Sequence, residues 1–198
     1  MNLYTPQVYH FLQSAFGFFQ ARVVALRTYA PMRAGDRILD IGCGPGNIVD
    51  HLPAGIEYHG FDIDPRAIRY AQDRFGSKGR FYCTLFTDDV AATFSDVRAV
   101  MLNGVLHHLS DVDADAVLAS VKRCLRADGY VFTLDGCLRP GQRGLHRWLH
   151  THDKGRFVRD EAGYRAILTR AFPIVDMHIR EDLCRLPHTL AISVCRSQ

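Results

Sequence analysis

RILDIGCGPGNI, residues 37–48, decides how the chain is read. Ile38, Leu39 and Ile41 make a short apolar run of the kind that forms a buried strand. Gly42, Gly44, Pro45 and Gly46 then stop any regular element, and a helical stretch is predicted from about Asn47 to Leu52. A glycine-rich turn between a first strand and a helix lets backbone N–H groups approach a ligand, because no Cβ stands in the way. The spacing here is G-x-G-x-G, whereas a nucleotide pyrophosphate usually meets G-x-G-x-x-G. By themselves the glycines do not identify the ligand.

Downstream, short apolar runs alternate with amphipathic helical patterns. EYHGFDI (57–63), RFYCTLF (80–86), RAVMLNGV (98–105) and YVFTLDG (130–136) are predicted strands. In DPRAIRYAQDRF (64–75), Asp64 is placed to cap a helix, Pro65 suits its first turn, and Ala67, Ile68, Ala71 and Phe75 form an inward stripe. DVDADAVLASVKRCLRADG (111–129) is a second helix, with Val117, Leu118, Val121 and Leu125 on one face and Gly129 placed to end it. A short helix near 160–171 and two strands, PIVDMHI and HTLAISVCR, close the chain. The alternation predicts a parallel sheet with helices on both faces.

Length and composition bound the rest. The 198 residues, 47% hydrophobic and 23% charged, suit one globular domain with one substantial core. Within it, residues 1–33 read as a helical N-terminal cap and 137–161 as an insertion on the substrate side. The formal charge of +3 favours an anionic ligand over an extended nucleic-acid footprint. The six cysteines are scattered without metal-ligand spacing, as expected of reduced thiols in a cytoplasmic protein. VYHFLQSAFGFFQARVVAL (8–26) is too interrupted by His10, Gln13, Gln20 and Arg22 to span a bilayer, and it lacks the flanks of a signal peptide. It reads as an amphipathic helix whose phenylalanines, Phe11, Phe16, Phe18 and Phe19, pack on the domain or cap a pocket, with Tyr4 and Tyr9 ahead of it.

Asp62 follows the glycines by about twenty residues, the distance at which an acid at a strand end accepts hydrogen bonds from a ribose diol. Asp40 and Asp62 would flank the crevice at the sheet's switch point; otherwise Asp62 opens a turn and Asp40 satisfies loop amides. At this point the chain resembles the class I S-adenosylmethionine-dependent methyltransferases. RILDIGCGPGNI is similar to their first motif, YHGFDIDPRAIRYAQ to their acidic second motif, VRAVMLNGVLHHLSD to their fourth-strand segment and CLRADGYVFTLDG to the helix-turn-strand after it.

The resemblance implies a Rossmann-like three-layer α/β sandwich, with a seven-stranded, mostly parallel sheet whose last strand is antiparallel. It implies S-adenosyl-L-methionine as cofactor, with Gly42, Gly44 and Gly46 close to its methionyl part and Asp40 helping to hold the amino group. Asp62 would bind the ribose hydroxyls, Ile63 would pack on adenine, Asp88 or Asp89 would reach the adenine amino group, and Asn103 would line the pocket.

A sulfonium methyl group is already activated, so positioning supplies much of the acceleration, and a base is needed only for a protonated acceptor. His107 and His108 end the fourth strand, where the acceptor meets the cofactor, and imidazole titrates in the right range; His108 is favoured. In the insertion, Arg139, Arg143, Arg147, Lys154, Arg156 and Arg159 would either recognise a carboxylate or phosphate or form a solvated face. Leu145, Trp148 and Leu149 would be a lid or ordinary core, and His146, His150, His152 and Asp153 lack a complete metal-ligand set, so no metal is expected. The expected function is methyl transfer to a small molecule. The alternatives are a catalytically silent cofactor-binding protein and a methyltransferase acting on nucleic acid or lipid.

Overall fold

The computed structural model describes residues 17–139, 141 and 156–198. The expectations placed on Tyr4, Tyr9, Phe11, Phe16 and, within the insertion, Arg143, Leu145, His146, Arg147, Trp148, Leu149, His150, His152, Asp153 and Lys154 lie outside the described residues.

Helix α1 (Phe18–Tyr29) leads into strand β1 (Arg37–Ile41), a 3-10 turn (Asn47–His51) and β2 (Glu57–Asp62). Then come α2 (Pro65–Phe75), β3 (Arg80–Cys83), the single turn α3 (Asp88–Ala91), β4 (Val97–Asn103) and a second 3-10 turn (Leu106–His108). Helix α4 (Asp111–Cys124), β5 (Leu125–Gly136), α5 (Glu161–Ala171), β6 (Ile174–Arg180) and β7 (Leu190–Arg196) complete the order. The seven strands form one sheet in the order β3-β2-β1-β4-β5-β7-β6. Strands β3, β2, β1, β4 and β5 pair in parallel, and only β7 runs against its neighbours β5 and β6. This is the Rossmann-like sheet that the sequence implied.

The pleat sends alternate residues to opposite faces, and each face has its own apolar core. Ile38, Tyr58, Phe81, Met101, Phe132 and Ile192 pack under α1, the first 3-10 turn and α2. Leu39, Phe61, Val100, Leu102 and Val131 pack under α4 and α5. Asp64 caps α2 by accepting from Arg66 N–H at 2.9 Å, as its place before Pro65 predicts. Ala67, Ile68, Ala71 and Phe75 are the buried stripe of that helix. In α1, Phe19 is buried, and Phe18 meets His188 edge-on at 4.8 Å.

Two boundaries differ from expectation. Helix α4 stops at Cys124 and the chain is extended from Leu125, so Gly129 lies within β5 instead of ending the helix. The register explains this: Leu125 pairs with Val97 and Tyr130 with Ala99, which leaves residues 126–129 as a bulge. A Cβ on Gly129 would stand 2.8 Å from the Val97 carbonyl oxygen, so glycine serves close backbone approach there. Strand β3 ends at Cys83, and Thr84, Leu85 and Phe86 leave the sheet to line the cavity described next.

Candidate active site

Strands β1, β2 and β4 end together, with the order reversing between β1 and β4, which opens a crevice at their carboxyl ends. A cavity of about 500 Å³ occupies it. Its floor is the glycine turn. Gly42, Gly44 and Gly46 have φ of 73°, 54° and 73°, values that ordinary side chains disfavour. Gly42 and Cys43 N–H both donate to the Phe61 carbonyl, at 2.8 and 3.0 Å, which fastens the turn to the end of β2.

The three glycines divide by role. A Cβ on Gly44 would meet nothing within 4 Å, and Gly44 lines the cavity. One on Gly42 would press on Val105 at 2.6 Å, and one on Gly46 on the Phe81 ring at 2.7 Å. Gly42 also lines the cavity, whereas Gly46 serves packing beneath it.

Asp62 sits at the cavity edge with both oxygens oriented by backbone. Oδ2 accepts from Gly44 N–H at 2.8 Å and Oδ1 from Asp64 N–H at 2.9 Å. Each carboxylate oxygen keeps a further lone pair for a ligand hydroxyl. Beside it Ile63 (72% exposed) and Leu85 (61% exposed) both line the cavity, two large apolar side chains left open to solvent at its rim.

Asp40 lies below the lining, fully enclosed. Tyr58 O–H donates to its Oδ2 at 2.7 Å, and its Oδ1 has no partner among the described residues. Burial pushes its pKa up to about 7, against the hydrogen bond from Tyr58 and the nearby charge of Arg22, which pull it down. Asn103, at the end of β4, is buried and lines the cavity, and its Oδ1 likewise has no partner among the described residues.

The two histidines separate. His108 is exposed and lines the cavity. His107 is buried outside the lining, its Nδ1 at 2.8 Å from Asp135 Oδ1, an oxygen that also accepts from its backbone N–H. The rings lie 4.0 Å apart, so the Asp135–His107 pair backs the ring that reaches the cavity. Arg159 holds the same turn from outside, donating to the carbonyls of Leu106, Leu109 and Phe157 and to Asp111.

Other sequence candidates fall elsewhere. Asp88 is turned toward Ser120 and Arg123, and neither Asp88 nor Asp89 lines the cavity, because the chain there has already closed into α3. Arg139 pairs with Glu181 at 3.1 Å, so with Arg159 it is tied into the fold. Sequence reasoning missed Arg22, Cys43, Tyr58, Thr84, Phe86, Val105, Leu109 and Asp135. Asp135 carried a visible signal, an acid closing an apolar strand; Arg22 carried only its interruption of an apolar helix.

Residues 39–131 match the methyltransferase-domain family. The fold is the Rossmann-like methyltransferase fold. That segment of the methyltransferase fold holds the glycine turn, Asp62 and both histidines. Among solved structures, a TehB-like SAM-dependent methyltransferase from Corynebacterium glutamicum shares 20% identity at a TM-score of 0.60, over 96% of this chain and 95% of that one. Human N-acetylserotonin methyltransferase, solved with SAM, shares 18% at 0.65, over 98% of this chain and 55% of its own. Phosphoethanolamine N-methyltransferase 2 of Haemonchus contortus, solved with S-adenosyl-L-methionine, shares 14% at 0.67, over 89% and 52%. The chain therefore spans about half the length of the last two and nearly all of the first. At these identities the likeness is one of fold. No curated protein sequence matches the chain. Among the described residues, no helix is long and apolar enough to cross a membrane, and no three His, Cys, Asp or Glu side chains are grouped to hold a metal ion.

Proposed function

We propose that the protein transfers the methyl group of S-adenosylmethionine to a small-molecule acceptor that enters beside His108. The observation that carries this reading is Asp62, lining the cavity with each oxygen oriented by a backbone amide and a free acceptor position on each. The rest of the cavity fits the cofactor. Asp62 accepts the ribose hydroxyls, Ile63 and Leu85 flank the adenine, Gly42 and Gly44 leave room for the methionyl chain, and Asp40 and Asn103 offer unpartnered oxygens to its amino group. The sulfonium supplies an activated methyl group, and the protein supplies alignment for an in-line displacement. His108 takes the proton when the acceptor arrives protonated, and His107 positions it without touching the reacting atoms.

The two long relatives are named for different acceptors, so their shared fold carries no acceptor to this chain. Incubation of the protein with methyl-labelled S-adenosylmethionine and a fractionated cell extract should place label in the low-mass fraction. Label confined to nucleic acid or lipid would replace the small-molecule reading. Saturable S-adenosylhomocysteine binding with no labelled product would replace catalysis with binding alone.

Two predictions belong to this reading. His108→Gln should flatten the acid limb of the rate profile and lower turnover about tenfold to a hundredfold at neutral pH, with S-adenosylhomocysteine affinity unchanged. Turnover equal to the parent at every pH would remove the base role. The second concerns Asp40, whose pKa of about 7 is raised from 3.8 mainly by burial. An ammonium group arriving beside it favours the ionised form, so binding at pH 7 releases a proton, and affinity should rise about tenfold from pH 6 to pH 8. The stability of the free protein runs the other way. Its folded form prefers protonated Asp40, so this group's contribution is fully present below about pH 4 and is lost as pH rises through about 7. Calorimetric titration in buffers of different ionisation enthalpy counts the protons, and a pH-independent affinity would overturn the assignment.

A further inference from the structure

The end of the cavity beyond Asp62 is built by the loop that follows β3. That strand stops at Cys83, level with Asp62 in the register, and Thr84, Leu85 and Phe86 then leave the sheet and enter the lining. Thr84 N–H donates to the Asp62 carbonyl at 3.0 Å, so the loop is pinned beside the carboxylate proposed to hold the ribose. Phe61 and Phe86, both buried and 5.2 Å apart edge to face, make an apolar wall, with Ile63 and Leu85 open at the rim.

The charged groups of this end are committed to each other. Asp64 Oδ1 accepts from Arg66 N–H at 2.9 Å and from its Nε at 3.4 Å, the arrangement that caps α2. Asp88, the acid expected at the base, is held by Ser120 and Arg123 outside the lining. Among the described residues of this end, that leaves the exposed hydroxyl of Thr84. It donates to the Leu85 carbonyl of its own loop at 3.3 Å, a long bond that rotation can exchange for one to a ligand.

A hydroxyl and a carboxylate read a purine differently. An ionised carboxylate only accepts, so it favours a 6-amino group and repels a 6-oxo group. A hydroxyl donates or accepts as its proton turns, so it serves either. The apolar wall around it responds to the shape of the ring pair, which both purines share, and discriminates weakly between near-isosteres.

We infer that Thr84 reads the edge of the base and makes the site tolerant, so that 6-amino and 6-oxo purine nucleosides bind alike. The inference rests on the proposed function, which sets the base between Ile63 and Leu85. It gives the loop after β3 a part in ligand specificity separate from the ribose contact at Asp62.

Isothermal titration with S-adenosylhomocysteine and its deaminated counterpart, S-inosylhomocysteine, provides the test. The parent protein should bind the two within about fivefold of each other. Thr84→Val should weaken both by about threefold to tenfold, because each loses one neutral hydrogen bond. Thr84→Asp should favour the amino form by about tenfold to a hundredfold, and the ratio of two affinities in one variant cancels any change common to both probes. Since Thr84 is exposed, each variant should melt within a few degrees of the parent. A larger preference in the parent overturns the inference, and its loss in Asp64→Asn would assign the base to Asp64 instead. Unchanged affinity for both probes in Thr84→Val overturns it as well, leaving the base to apolar contacts alone. A parent protein that binds neither probe defeats the proposed function, and this inference with it.

Discussion

Asp62→Ala is expected to weaken S-adenosylhomocysteine binding by about a hundredfold, the combined effect of two charge-assisted hydrogen bonds at roughly 1.5 kcal/mol each. The carboxylate has two jobs. One is to the ligand, through lone pairs its backbone partners leave open. The other is to the glycine turn, since Oδ2 holds Gly44 N–H at 2.8 Å and Oδ1 holds the chain at Asp64. Alanine removes both, so the turn also loses its pre-set shape. Asp62→Asn separates the jobs: the amide oxygen still accepts from Gly44, while one acceptor and the charge are gone. About tenfold weakening is expected for it. Thermal melting should fall by only a few degrees in either variant, because a part-buried bond to a loop amide contributes about 1 kcal/mol. Affinity at the parent's level in Asp62→Ala would remove the ribose assignment and leave the Gly44 contact as a purely structural one.

The sheet was legible because its evidence is periodic. Ile38, Leu39 and Ile41, and Ala99–Leu102, put apolar side chains on both faces, as a parallel strand covered on both sides requires. The glycine turn and Asp62 were legible because both are local: a positive φ, and an acid at a strand end. What failed depends on contacts that spacing does not encode. Gly129 looks like a helix terminus, yet its backbone is needed against Val97 across a bulge. His107 and His108 are equivalent as letters, and only the Asp135 carboxylate, 28 positions away, turns one inward. Asp88 was offered to the adenine on the strength of its place after the third strand. A four-residue helix and the Ser120 hydroxyl hold it away from the cavity lining. Arg22 lines the cavity beside Gly104, a tertiary placement whose local trace is only its interruption of an apolar helix.

Gly46→Ala is expected to lower the melting temperature by roughly 5–15 °C, whereas Gly44→Ala, two residues away, should cost only a few degrees and yet bind cofactor worse. Both positions have positive φ, so both substitutions carry the left-handed penalty of about 1–2 kcal/mol. The difference lies in what the methyl meets. At 46 it would stand 2.7 Å from Phe81 Cε1 and 3.1 Å from Ala71 Cβ, both in the core beneath α2, and overpacking such a site adds about 1–3 kcal/mol. Neither neighbour has room to yield, since Ala71 is fully buried and the buried Phe81 ring packs at a tilt against Tyr58, with ring centroids 5.5 Å apart. At 44 the methyl enters open space, and that space is the cavity, so the added volume is felt only when a ligand arrives. Melting curves with and without S-adenosylhomocysteine separate the two effects. Gly46→Ala should melt low but shift upward with ligand, and Gly44→Ala should melt near the parent and shift less. The reverse ordering would mean that the glycine turn approaches its ligand through Gly46, and that the floor of the cavity has been assigned to the wrong residue.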